Sequence, residues 1–237
     1  HHGALMRILH LSGLNKKERD RLLERAPLRD GESIRLCENI FDRIKTGGDR
    51  AVRHFTRRFD GVDAESTLVS GKEFERAAKG VGGQEIEALK QALGNIERFH
   101  RSQCIREEPE EVQPGVHCWR EKRPVDPVGL YVPAGSAPLA STLLMLAVPA
   151  RIAGCSDISV CVPPREDGSA DPYVLSAARL LDISSVHKIG GAQAVAALVF
   201  GTETVPAVAK IVGPGSSIVQ SAKALAVQYG VAIDLLA

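Results

Sequence analysis

From residue 128 onward, short apolar runs alternate with longer apolar segments, and turns rich in glycine or proline separate the two. A short apolar run between such turns is typical of a buried strand. Strands are therefore predicted at 128–132, 158–162, 186–189, 210–212 and 232–234. Helices are predicted from about residues 139, 171 and 192, and from the turn at 213–215 to about 228. Strands that alternate with helices form a parallel sheet covered on both faces, so the pattern predicts the α/β class.

The chain before Asp126 is rich in charge, and its apolar residues recur at helical spacing. Residues 31–59 predict two amphipathic helices joined at the glycine pair 47–48. Residues 71–101 predict a helix hairpin whose turn lies at 80–83. Three shorter predictions complete this region: strands at 67–69 and 116–123, and an acidic, proline-containing loop at 107–115.

The change of pattern predicts two domains. The first, at 6–126, is mainly helical, and the second, at 127–237, is the α/β domain. Residues 1–5 begin with two histidines and resemble the remnant of a purification tag, so Met6 is the expected natural start.

The composition of the chain argues against several functional classes. A net charge of +1 over 237 residues argues against an extended nucleic-acid surface, and we expect no nucleic-acid partner. No apolar run reaches the roughly 18–20 residues that cross a bilayer, and we expect no membrane partner. The five cysteines are odd in number and form no Cys-x-x-Cys pair, which favours reduced thiols in a cytoplasmic protein.

Three of the predicted strand-to-helix turns contain glycine, at 133–136, 190–193 and 213–216. In open parallel sheets, ligands bind beyond the carboxyl ends of the strands. Glycine lets the backbone approach a ligand, and the helix that follows offers free N–H groups and the positive end of its dipole. The steric needs of a tight turn explain each turn equally well. Three such turns at one edge favour a crevice for pyrophosphate, ribose or another polar anion.

These turns supply three candidate ligand contacts, each with a structural alternative. Tyr131 ends the first strand, where its ring either stacks on a flat ligand or fills the sheet edge. Gln193 carries an amide that both donates and accepts, and Ser216 either contacts a ligand or caps its helix. A Gly-x-Gly-x-x-Gly run is absent from these turns, so spacing alone does not predict a conventional Rossmann dehydrogenase.

Longer motifs carry a resemblance to a known family. In the α/β region they are 123–125 with 129–138, 141–146 with 149–155, 190–194, and 205–206 with 213–215. The N-terminal region adds 47–51 and 59–62. Together these runs resemble the histidinol dehydrogenases along essentially the whole chain. The resemblance implies a Rossmann-like nucleotide-binding domain, preceded by a mainly helical region that belongs to an incomplete second α/β domain.

The same resemblance implies a zinc-dependent, homodimeric enzyme that oxidises L-histidinol to L-histidine and reduces two NAD in succession. It places the nucleotide contacts of the family on Tyr131, Gln193 and Ser216. The family generally has asparagine at the third position. Serine is shorter and lacks the amide, so a contact there is lost or made through water.

Family members are close to twice this length, and their zinc ligands and Glu-His acid/base pair follow the segment matched here by 232–234. We therefore expect no catalytic residue and no metal ligand in this chain, and we interpret His187 as a packed histidine. The predicted function is a histidinol-dehydrogenase-like protein that keeps the NAD-binding half and is inactive alone. Two alternatives stay open: activity with a C-terminal half supplied by another chain, and a non-enzymatic module for a nucleotide or small anion. Apolar surface left on the N-terminal helices leads us to expect a homodimer.

Overall fold

A computed structural model of the protein describes residues 8–23, 31–63, 65–105, 107–134 and 139–234. Within these ranges the chain forms eight α-helices: α1 (Lys16–Leu23), α2 (Gly31–Asp60), α3 (Gly71–Gly80), α4 (Gly83–Arg101), α5 (Ala140–Ala153), α6 (Pro172–Leu180), α7 (Gly191–Phe200) and α8 (Ser217–Ala226). It also forms seven strands: β1 (Glu110–Gln113), β2 (Val116–Cys118), β3 (Val128–Tyr131), β4 (Ile158–Val162), β5 (Val186–Lys188), β6 (Lys210–Val212) and β7 (Ala232–Ile233).

Five of these strands form one parallel sheet in the order β5-β4-β3-β6-β7. The chain starts in the middle at β3, runs outward through β4 to β5, and then crosses to the other side of β3 to add β6 and β7. This corresponds to the order 3-2-1-4-5 of a Rossmann-like sheet, and it places the topological switch point between β3 and β6. The predicted α/β fold, with a strand near each predicted position, is confirmed.

Side chains alternate between the two faces of the sheet, as the strand period requires. Val128, Leu130 and Val160 pack in one buried cluster, whereas Tyr131 and Cys161 pack in the other. Helices α3, α4, α5 and α6 contribute to the first cluster, and α2, α7 and α8 contribute to the second. Both cores therefore combine residues from before and after position 126. The division of the chain into two domains at that point stays a prediction.

Helix α2 bends sharply at the predicted glycine pair, since Gly48 has φ 50° and ψ −140°. An added side chain at Gly48 would overlap the carboxylate of Glu203, which accepts the N–H of Asp49 at 2.7 Å. The two predicted helices and their junction are confirmed, and so is the hairpin of α3 and α4.

The predicted loop at 107–115 is wrong, because β1 and β2 form an antiparallel hairpin there. Every residue of both strands is exposed, so neither has the buried apolar face that makes a strand visible in a sequence. The turn between them contains Pro114 and Gly115, and Gly115 has φ 80°. The predicted strand at 116–123 ends at Cys118. The one predicted at 67–69 is a single antiparallel bridge between Leu68 and His187.

Several large apolar side chains of the N-terminal region are exposed: Leu22, Leu23, Phe59, Phe99 and Ile105. No helix in the described ranges is long and apolar enough to cross a membrane.

Candidate functional site

A cavity of about 490 Å³ lies between α2 and the first turns of α7 and α8. Its walls are apolar where α2 and α8 face it, and its polar groups come from both ends of α2 and from the start of α7. The residues that line it include Glu32, Leu36, Ile40, Phe59, Asp60, Gly191, Gln193 and Ile218. The cavity therefore lies near the carboxyl edge of the sheet, beside the turn that follows β5.

Tyr131, at the end of β3, is only 4% exposed, and its ring belongs to the buried cluster shared with α2 and α7. Its hydroxyl oxygen accepts a hydrogen bond from the N–H of Gly191 at 3.1 Å. Burial raises the pKa of the phenol to about 12, so the hydroxyl is neutral at physiological pH. The ring fills the sheet edge, and its hydroxyl holds the first residue of α7.

Gln193 lies in the first turn of α7 and is 1% exposed. Its Nε2 donates to Oδ2 of Asp60 at 3.1 Å. Its Oε1 lies above Gly191, where an added Cβ would be 2.7 Å away. Gly191 has φ 58°, a conformation that favours glycine. Tyr131 and Gln193 therefore meet at Gly191, although 62 positions separate them in the sequence.

Asp60 is the last residue of α2, and reasoning from the sequence did not find it as a site residue. Burial raises the pKa of its carboxyl group above the ordinary value, whereas hydrogen bonds from Gln193 and from the Gly190 backbone act in the opposite direction. One signal in the sequence could have identified it, because Asp60 lies in the segment 59–62, one of the motifs that carry the family resemblance. No spacing rule links it to Gln193.

Ser216 is exposed and stands at the N-cap position of α8. Its side chain makes no capping hydrogen bond, so Ser216 holds the N-cap position but the capping alternative for its hydroxyl is not found. Its backbone carbonyl accepts the N–H of Gln220 at 2.9 Å. The hydroxyl of Ser216 therefore faces solvent at the start of α8, whereas Tyr131 and Gln193 meet at the start of α7.

The glycine turn before Ser216 is fixed by a buried lysine and its ion-pair partner. Lys223 is fully buried, and its Nζ donates to the carbonyl oxygen of Gly213 at 2.9 Å. Asp234 forms an ion pair with Lys223 and accepts the N–H of Gly213 at 2.7 Å. An added side chain at Gly213 would overlap the carbonyl oxygen of Tyr131, so this turn packs directly on the end of β3. The predicted turn at 133–136 is described only up to Ala134, and its remaining residues lie outside the described ranges.

His187 lies in β5 with no exposed surface, as its interpretation as a packed histidine requires. Its Nε2 hydrogen bonds to Oγ of Ser185 at 3.0 Å, and burial lowers the pKa of the ring to about 4. Across the described ranges, no group of three or more His, Cys, Asp or Glu side chains could hold a metal ion. The described residues therefore do not fit a zinc centre, and we assign none to them.

The doubly wound parallel sheet, with glycine turns and a cavity at its carboxyl edge, defines a Rossmann-like α/β fold. Comparison with known proteins is more specific. The family described as "Histidinol dehydrogenase" matches residues 23–237, and the chain belongs to that family.

Individual relatives agree with this assignment. A histidinol dehydrogenase of Xanthomonas euvesicatoria is 49% identical over 193 residues, which cover 81% of this chain and 45% of the relative. One of Bacteroides fragilis is 41% identical over 221 residues, which cover 93% of this chain and 52% of the relative. The crystal structure of histidinol dehydrogenase from Elizabethkingia anophelis is similar with a TM-score of 0.87 and 40% identity, over 94% of this chain and 52% of that one. The chain thus spans about half the length of the relatives it matches.

Proposed function

We propose that this chain is the nucleotide-binding part of a histidinol dehydrogenase, that it binds NAD, and that it does not oxidise histidinol by itself. The reaction implied by the family converts L-histidinol to L-histidine at the expense of two NAD. NAD supplies a hydride acceptor when it is bound. The residues of this chain would bind and orient it.

The observation that carries the proposal is the position of the cavity at the first turns of α7 and α8, beyond the carboxyl ends of the parallel strands. Its volume of about 490 Å³ is in the usual range of small-molecule sites and holds part of a dinucleotide. Helices α7 and α8 both begin without a side-chain capping bond. The first N–H group of α7 already donates to the hydroxyl of Tyr131, whereas those of α8 have no partner within their own helix and suit an anionic group such as pyrophosphate outside the cavity.

The described residues do not complete a catalytic site. Oxidation of an alcohol needs a base near the reacting carbon and a group that polarises the oxygen. Two of the described acids line the cavity, Glu32 at the start of α2 and Asp60 at its end, and the carboxylate of Asp60 is engaged by Gln193. His187 is enclosed in the sheet and does not line the cavity. We therefore assign nucleotide binding to this chain and no chemical step.

Two measurements on the purified chain test the proposal. Calorimetric titration with NAD is expected to show binding, and an absence of binding up to millimolar NAD would overturn the nucleotide assignment. A histidinol-dependent NADH assay with added zinc is expected to show no turnover. Turnover at the rate of a complete enzyme would overturn the assignment of an inactive part. Turnover that appears only when a C-terminal half is supplied as a second chain would favour activity in trans.

The same proposal includes a cytoplasmic homodimer. The exposed side chains of Leu22, Leu23, Phe99 and Ile105 support it, because a second chain would remove this apolar surface from water. Light scattering over a range of concentrations tests it. A mass that corresponds to one chain at every concentration would exclude the dimer.

A further inference from the structure

The carboxylate of Asp60 determines which way the amide of Gln193 points. An ionised carboxylate is only an acceptor, so it requires the NH₂ group of the amide on its side. The 3.1 Å contact from Nε2 of Gln193 to Oδ2 of Asp60 meets this requirement. The amide oxygen is consequently turned away from Asp60 and lies above Gly191, which lines the cavity.

The charge of the cavity restricts its occupant. Its ionisable residues among those described are Glu32 and Asp60, and neither lysine nor arginine lines it. The remaining wall is largely apolar, from Leu36, Ile40 and Ile218. Such a cavity accepts a flat or apolar group that carries hydrogen-bond donors, and it disfavours a phosphate.

The family resemblance already implies a nucleotide contact at Gln193. We propose that Asp60 is the positioning residue for this contact, because it leaves Oε1 of Gln193 as the acceptor for a hydroxyl or amino group, and that the cavity takes an uncharged ribose or base portion of the nucleotide. The inference rests on the proposed nucleotide function and makes it more specific. It also limits Gln193 to the role of an acceptor towards the nucleotide, because its NH₂ group already donates to Asp60. A nucleotide with an additional phosphate on the enclosed ribose is rejected by the two carboxylates.

The substitution Asp60→Asn gives a test in which simple electrostatics and positioning predict opposite signs. NAD is an anion, so removal of a nearby negative charge alone would tighten its binding. The asparagine amide can also donate a hydrogen bond to Oε1 of Gln193, and the Gln193 amide then rotates by about half a turn. Its NH₂ group would then face the cavity, where the nucleotide also offers a donor. We expect Asp60→Asn to weaken NAD binding about tenfold, the effect of one lost hydrogen bond. Gln193→Met, which keeps the length of the side chain and removes the acceptor, is expected to weaken it by a similar factor.

Asp63→Asn is the matched control, since Asp63 is an exposed acid three residues away that pairs with Arg57 outside the cavity. It removes the same charge and is expected to leave NAD binding within about twofold of the unmodified chain. Thermal unfolding of each variant establishes that it is folded. The half-molecules AMP and nicotinamide mononucleotide identify the enclosed portion, because only the half that occupies the cavity is sensitive to Asp60→Asn.

The outcomes separate the inference from the proposed function. If the unmodified chain binds no NAD, the proposed function fails. If it binds NAD and the folded Asp60→Asn and Gln193→Met variants bind it equally well or more tightly, the inference alone is overturned. If AMP is the half that is sensitive to Asp60→Asn, a preference for NADP over NAD in the unmodified chain would also overturn it.

Discussion

The buried ammonium group of Lys223 lies 2.9 Å from the carbonyl oxygen of Gly213, ten residues earlier in the chain. The N–H of the same glycine is held from the other side by Asp234, the ion-pair partner of Lys223. Removing an ammonium group from water is costly, and here the cost is offset by the pairing and by the hydrogen bond. The result is a glycine turn whose peptide groups cannot reorient independently of α8 and β7.

Loss of this ammonium group should destabilise the chain. We expect Lys223→Met to lower the free energy of unfolding by about 2 kcal/mol, the value of a charge-assisted hydrogen bond, because the carbonyl of Gly213 loses its donor and Asp234 loses its ion-pair partner. Urea unfolding measures the change. Lys17→Met on the exposed helix α1 is the control and should change stability by less than about 0.5 kcal/mol. Equal stability of the two variants would show that the buried pair contributes nothing net.

A side chain at Gly213 should lower the free energy of unfolding more than one at another glycine with positive φ. Gly213 has φ 132°, and a methyl group there would overlap the carbonyl oxygen of Tyr131. Gly61 also has positive φ, at 71°, but the space around its missing Cβ is open. We expect Gly61→Ala to cost about 1 kcal/mol and Gly213→Ala more than about 3 kcal/mol, measured by the same unfolding experiment. Similar losses at both positions would mean that the turn moves away from β3 to make room.

Sequence reasoning succeeded where burial creates a periodic signal. The parallel strands β3, β4 and β5 are short apolar runs between turn residues, and each lies at its predicted position. It failed at the hairpin of β1 and β2, since an exposed strand pair shows no apolar periodicity. There the backbone pairing follows from the Pro114-Gly115 turn and not from a buried face.

The site was predictable only in part, for a related reason. Strand ends and glycine turns are local signals, and they led to Tyr131, Gln193 and Ser216. Asp60 and Gln193 are 133 positions apart in the sequence. They come into contact because α2, which ends at Asp60, packs on α7, and no local sequence signal predicts this packing. The absence of a capping bond at Ser216 likewise depends on the orientation of one side chain, which sequence does not encode locally.

The buried ring of His187 should make stability dependent on pH in the acid range. The pKa of this histidine is about 4 in the folded chain, against 6.5 for an unperturbed group. Between these values the unfolded state binds more protons, so stability is complete above about pH 6.5 and falls as the pH falls towards 4, by roughly 3 kcal/mol at most. His187→Gln should flatten this part of a pH series of urea midpoints. His117→Gln, on the exposed strand β2, should leave it unchanged. A slope that survives His187→Gln would assign the acid sensitivity to other groups.

A longer side chain at Ser216 should strengthen nucleotide binding if the proposed function is correct. The family resemblance implies asparagine at this position, and the serine hydroxyl here is exposed at the N-cap of α8 without a capping bond. Asparagine is also a good N-cap residue, so Ser216→Asn can be made without loss of helix stability. We expect it to lower the dissociation constant for NAD several-fold in calorimetry, through one added direct hydrogen bond of about 1 kcal/mol. Ser217→Asn, one position further into the same exposed turn, is the control and should have no comparable effect. Equal affinities of the Ser216→Asn variant and the unmodified chain would remove Ser216 from the nucleotide site while leaving the assignments of Tyr131 and Gln193 untouched.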